Sequence, residues 1–169
     1  PYAVFDESMR RMYVDQMELM GEYEAAIANG EFQVYYQPVV EAVSGNLISA
    51  EALVRWIHPK RGMVSPAAFI PALENGGHIS KLDWFVAGQV AEFDRKRYAS
   101  GEPVLPVSVN LSWTDFYDEN VIRGLLDLLG SGKVQKGDIR LEITETSYTA
   151  LENDREGILE QFRSLGSLI

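Results

Sequence analysis

The stretch Leu47-Ile48-Ser49-Ala50-Glu51-Ala52-Leu53-Val54-Arg55-Trp56 decides the fold. In an extended chain successive side chains alternate sides, so Glu51, Leu53 and Arg55 share one face and Ala50, Ala52, Val54 and Trp56 share the other. The second set is a core face. The first puts a carboxylate and an arginine on an otherwise apolar strand. Two readings fit it: a half-solvated antiparallel strand whose polar side meets water, or a site that handles a charged ligand.

Working outward, Phe32 to Tyr36 is rich in aromatic residues and valine and ends at Gln37-Pro38, which predicts a strand. Ser44-Gly45-Asn46 is a turn, so this strand and the next are expected as an antiparallel hairpin. Ahead of it, Asp6 to about Asn29 has the spacing of a helix, with Met9, Met12, Tyr13, Met17, Leu19, Met20 and Tyr23 among charges and Asn29-Gly30 as a stop. Such a helix suits a linker.

On the other side, Pro59-Lys60-Arg61-Gly62 is a turn, and Ser65-Pro66 has the chemistry of a helix start, the helix running to about Asn75. A longer helix is predicted from about Ser80 to Tyr98, with Leu82, Phe85, Val86, Val90 and Phe93 at helical spacing. Then come a strand over Val104 to Leu111, a helix from about Thr114 to Leu129, a strand over Ile139 to Thr144 and a helix over Glu152 to Leu165, stopped at Gly166. Strand and helix alternate as in an α/β fold with parallel strands.

Composition narrows the function. At 169 residues and 46% hydrophobic, the chain is long enough for one domain with its own core. It has no Cys, which excludes disulfides, zinc-thiolate sites and a cysteine nucleophile and suits the cytoplasm. Twenty-five acidic against fifteen basic residues give a formal charge of −10, which repels DNA, RNA and anionic lipid. No stretch approaches a membrane span and the N-terminus has no signal pattern, so any membrane anchor is expected elsewhere in a parent protein. A phosphate-bearing ligand would need bound cations or a local arginine.

The polar face of the opening stretch recurs. Ser108, Asn110 and Ser112 oppose Val107, Val109 and Leu111, while Arg140, Glu142 and Thr144 oppose Ile139, Leu141 and Ile143. Parallel strands between helices are normally buried on both sides, so three polar faces call for a shared cavity. In a βα barrel the C-terminal ends of the strands converge on one mouth, where active sites are built. Glu51, Asn110 and Glu142 would there form a set of hard oxygen ligands, suited to Mg²⁺ or Mn²⁺ and poor for copper or zinc. His58 and His78 read as surface loop residues. No glycine-rich phosphate loop and no nucleophile elbow is present, so metal-assisted phosphodiester hydrolysis fits better than nucleotide triphosphate hydrolysis or acyl transfer.

Tyr35-Tyr-Gln-Pro38, Ala50-Glu-Ala-Leu-Val-Arg-Trp56, His58-Pro59, Ser65-Pro66, Phe69-Ile-Pro71, Leu82-Asp-Trp84, Val109-Asn-Leu-Ser112 and Leu141-Glu-Ile-Thr-Glu145 stand in an order that resembles the EAL domain family. The resemblance implies a modified TIM-type (βα) barrel with an antiparallel first strand, and hydrolysis of cyclic di-GMP to linear pGpG with Mg²⁺ or Mn²⁺, two ions in the complete domain. By it, Glu51, Asn110 and Glu142 are metal ligands, Glu51 acting in catalysis through the metal, and Gln37, Leu53 and Arg55 line the nucleotide pocket. Glu145, one step past Thr144 and so on the opposite face, would support the ligands from behind or serve structure. Asp83, in a helix, would be a structural anchor.

The resemblance covers 31–169. Residues 1–30 resemble the tail of a GGDEF domain and its connecting helix, notably Val4-Phe-Asp-Glu-Ser-Met9, which implies a GGDEF-EAL parent. After Leu165-Gly166 the family pattern continues into a strand ending in an Asp-Asp pair and further strands with a lysine, a glutamate and a glutamine, whereas a full barrel takes roughly 250 residues. About half a barrel is therefore expected, inactive alone, with an open edge favouring self-association or a complementing C-terminal half. A cyclic di-GMP sensor without turnover, or a dimerisation module, is the alternative.

Overall fold

The computed structural model describes residues 7–143 and 155–167. Helix α1 (Glu7–Ala28) leads into strand β1 (Phe32–Val40), then β2 (Leu47–His58), β3 (Gly62–Val64), α2 (Pro66–Asn75), α3 (Ile79–Ser100) and β4 (Val107–Asn110). A 3-10 turn (Trp113–Tyr117), α4 (Glu119–Gly130), β5 (Ile139–Glu142) and α5 (Glu156–Ser164) follow. The strands form one sheet in the order β1-β2-β4-β5, with β3 on β2. β2, β4 and β5 run parallel and β3 antiparallel to β2. β1 joins β2 through a connection too short for a crossover, which makes them an antiparallel hairpin. Among the described residues the sheet does not close on itself, as in a partial barrel.

Two compact units divide the chain: Pro1–Gln33 with Val54–His78, and Val34–Leu53 with Ile79–Ile169. In the first, the even-numbered face of β2 becomes a core. Trp56 is fully buried, its ring 4.8 Å from Phe32 and 5.6 Å from Phe69, and its indole N–H donates to the Glu31 carboxylate at 3.0 Å. Leu19, Tyr23 and Ala26 of α1 are buried while Met9, Tyr13 and Met17 are exposed, so the buried apolar residues described on this helix lie in its C-terminal half.

In the second unit Val107 and Val109 of β4 align with Ile139 and Leu141 of β5, and all four are buried. Leu82, Val86 and Val90 of α3 and Leu125 of α4 are buried as well. The stripes read from the sequence are thus buried in part: Phe93 of α3, counted with the apolar stripe, is exposed, and Phe85 is half-buried.

Several boundaries differ from expectation for definable reasons. β1 runs through Pro38 rather than ending there, because β1 is the edge strand and a residue without N–H costs nothing on an outward side. The helix expected over Thr114 to Leu129 is split at Asp118. That carboxylate takes the N–H groups of Asn120 (2.9 Å) and Val121 (3.3 Å) and so starts α4 afresh.

His58 is the clearest correction. It is a 3%-exposed residue at the end of β2, not a surface loop residue. A residue before proline is held extended, so the strand continues to Pro59 and places His58 on the side of Trp56. Its Nδ1 accepts the N–H groups of Lys60 (3.0 Å) and Arg61 (3.2 Å), which puts the ring proton on Nε2, where it meets Glu22. That hydrogen bond is the main reason the Glu22 carboxyl lies below its ordinary range.

Candidate metal and nucleotide site

Register builds the site. Glu51 aligns with Ser108 and Ser108 with Arg140, while Asn110 aligns with Glu142 one step nearer the strand ends. Aligned residues on neighbouring strands point to one side of the sheet, so all five share a face, backed by Ala52, Val109 and Leu141. Asn110 donates through Nδ2 to Glu51 Oε1 at 2.8 Å. Two strands read separately in the sequence therefore meet, and the third lies alongside. Asn110 is exposed and Glu51 and Glu142 are half-buried, so the face is open to a ligand. Ser108 is buried beneath them.

Leu53 follows Glu51 two positions along β2, half-buried, and Gln37 is exposed on β1. Arg55 belongs to the first unit, half-buried, with Nη1 donating to the Val54 carbonyl at 2.9 Å. Glu145 and Thr144 lie outside the described residues. Asp83 accepts the Ser112 N–H through Oδ2 at 3.0 Å and so ties α3 to the chain leaving β4. Arg140 and Ser108 share the face as well, beyond the site residues expected from the sequence. The signal of Arg140 was plain, since it stands two residues before Glu142.

Among the described residues no three His, Asp or Glu side chains cluster as a cation site. The chemistry of the set nonetheless fits one. Two carboxylates and an amide carbonyl are hard oxygen donors, and the Asn110 NH₂ rests on Glu51 while its oxygen remains the acceptor end of the amide.

The EAL domain profile matches residues 20–169. This chain belongs to the EAL domain family. Over 165 residues it is 28% identical to the bifunctional diguanylate cyclase/cyclic di-GMP phosphodiesterase MucR of Pseudomonas aeruginosa, a match covering 98% of this chain and 24% of MucR. It is 30% identical over 149 residues to the cyclic di-GMP phosphodiesterase RocR of the same organism, covering 85% of this chain and 38% of RocR. In three dimensions it resembles the PaMucR phosphodiesterase in complex with c-di-GMP, at a TM-score of 0.78 and 27% identity over 89% of this chain and 62% of that one. The EAL chain thus spans well under half the length of these two sequence relatives. The match begins inside α1, and the fold is the TIM-like barrel of the family with its sheet open. No helix among the described residues of this EAL chain is long and apolar enough to cross a membrane.

Proposed function

We propose that this EAL chain carries the first part of a cyclic di-GMP phosphodiesterase site, in which Glu51, Asn110 and Glu142 hold Mg²⁺ or Mn²⁺. The observation that supports it is the contact of Asn110 with Glu51 on the face shared with Glu142. A divalent cation held there would neutralise charge on a phosphodiester and acidify water for attack on phosphorus. The residues themselves bind and orient. Glu51 and Glu142 supply negative charge to the cation, Asn110 fixes the Glu51 carboxylate through its amide, and Glu51 takes part in catalysis through the cation. Gln37, Leu53 and Arg55 line the nucleotide pocket, the planar guanidinium of Arg55 pairing with a phosphate in an otherwise acidic chain. Glu145 has a supporting or a structural role.

The product is linear pGpG. Residues 1–30 belong to the end of a GGDEF-like domain and its linker, in a cytoplasmic part of the parent. Turnover requires further carboxylates and a base from the rest of the EAL domain, so 1–169 is inactive alone and associates with itself or with a complementing half.

Titration with Mn²⁺ tests the reading. Glu51→Gln and Glu142→Gln should each weaken binding by roughly tenfold or more, because each removes a negative oxygen ligand. Unchanged Mn²⁺ affinity in both variants overturns it. On a chain extended through the whole domain, tight binding of cyclic di-GMP without hydrolysis would favour the sensor function instead.

A further inference from the structure

The face that carries Glu51, Asn110 and Glu142 also carries a cation that no carboxylate holds. Arg140 of β5 aligns with Ser108 of β4, and Ser108 with Glu51 of β2, so all three point to one side of the sheet. Arg61, Arg95, Arg97 and Arg163 each hold a carboxylate. Among the described residues Arg140 holds none and makes no hydrogen bond, although it is half-buried and Glu142 stands two positions along its own strand. In a chain of formal charge −10, a guanidinium with five donors and no acceptor calls for a reason. The spacing supplies one. Residues two apart on a strand are roughly 6.8 Å apart and neighbouring strands about 4.8 Å. Glu51 reaches across to β4, where its Oε1 accepts from Asn110 Nδ2 at 2.8 Å, so its carboxylate lies next to the strand that neighbours β5. Ser108, between Glu51 and Arg140, is buried and has too short a side chain to part them.

We propose that Arg140 is a positioning residue of this site: a counter-charge that steadies Glu51 and Glu142 in the absence of a divalent cation and lowers the affinity for that cation. Two carboxylates on one face repel each other, and a guanidinium beside them offsets part of that repulsion. A divalent cation on the same oxygens offsets it more fully, and the guanidinium is then a like charge that opposes the cation. Since Arg140 contacts neither acid, it acts through its field and takes up no ligand oxygen. Its effect therefore follows charge and screening rather than side-chain shape. The consequence for cation affinity rests on the reading of Glu51, Asn110 and Glu142 as ligands. The counter-charge itself does not, because it concerns the two acids alone.

The test is Mn²⁺ titration of the chain 1–169 and of its Arg140→Gln and Arg140→Lys variants, at low and at high NaCl. Arg140→Gln removes the charge and should bind Mn²⁺ roughly fivefold more tightly at low salt. Arg140→Lys keeps the charge and should stay within about twofold of the parent. High salt should shrink the gain of Arg140→Gln, as screening does for a charge acting at a distance and would not for a change of packing. In parallel, urea denaturation in EDTA reads the metal-free chain. There Arg140→Gln should lower the midpoint, and the same substitution made on Glu142→Gln should lower it less. Mn²⁺ affinity that is unchanged or weaker in Arg140→Gln, a gain that ignores salt, or strictly additive midpoints overturn the proposal. A parent chain that binds no Mn²⁺ overturns the proposed function instead, and the EDTA cycle then decides the counter-charge by itself.

Discussion

Asp94 lies on α3 with its side chain fully buried and neither carboxylate oxygen hydrogen bonded. Burial, with Asp138 as a like-charged neighbour, pushes its carboxyl up to about 7, Arg97 opposing. Asp138 is itself committed, taking the Tyr98 hydroxyl and the Gln135 N–H. Because the folded value lies above the unfolded one, Asp94 binds a proton more tightly in the native state. It therefore costs no stability below its ordinary range near 3.8, costs progressively more as pH rises toward 7, and a constant amount beyond. Asp94→Asn removes the ionisation. It should raise stability at pH 8 by roughly 2 kcal/mol and change little at pH 4, as read from urea denaturation at both values. At this scale the sequence was informative about Glu51, Asn110 and Glu142, whose period-two pattern is local. It was silent on Asp94 and Asp115 and misplaced His58 at the surface, because the character of all three comes from what covers them.

At the scale of elements, most were legible because their apolar spacing is strong and their ends carry Gly, Pro or a capping residue. The failures lie where a single residue competes with its neighbours. Asp118 reads as one more polar residue in a helix, yet its side chain takes two backbone N–H groups and starts α4. Asp118→Ala should cost about 1 kcal/mol and increase amide exchange at Asn120 and Val121, whereas Asp118→Ser should recover most of the loss. β3 was not expected from the sequence, since three residues are too few to show alternation. Gly62 permits that hairpin, with φ at +69°, where a side chain would be strained. Pro38 seemed to end a strand only because an edge position cannot be told from a central one before the sheet is assembled.

At the scale of the whole molecule, the open sheet leaves its polar face and β5 uncovered among the described residues, save where Leu141 N–H donates to the Ser167 carbonyl at 2.6 Å. The β1-β2 hairpin also exposes Tyr35, Val39, Val40, Val43, Leu47 and Ile48. Unpaired edges and contiguous apolar surface favour association. Light scattering coupled to size exclusion should therefore give a mass above 19.0 kDa that falls on dilution. A single monodisperse monomer across concentrations would count against self-association.

The sequence by itself determined the parallel α/β alternation and the polar faces of three strands, because each is encoded in spacing along one strand or helix, and the family showed in the order of its motifs along the chain. Only the tertiary structure decided which strands are neighbours, in what register Asn110 meets Glu51 and Glu142, and which acids are buried together. Strand pairing and desolvation depend on residues far apart in the chain, and neither has a local signature.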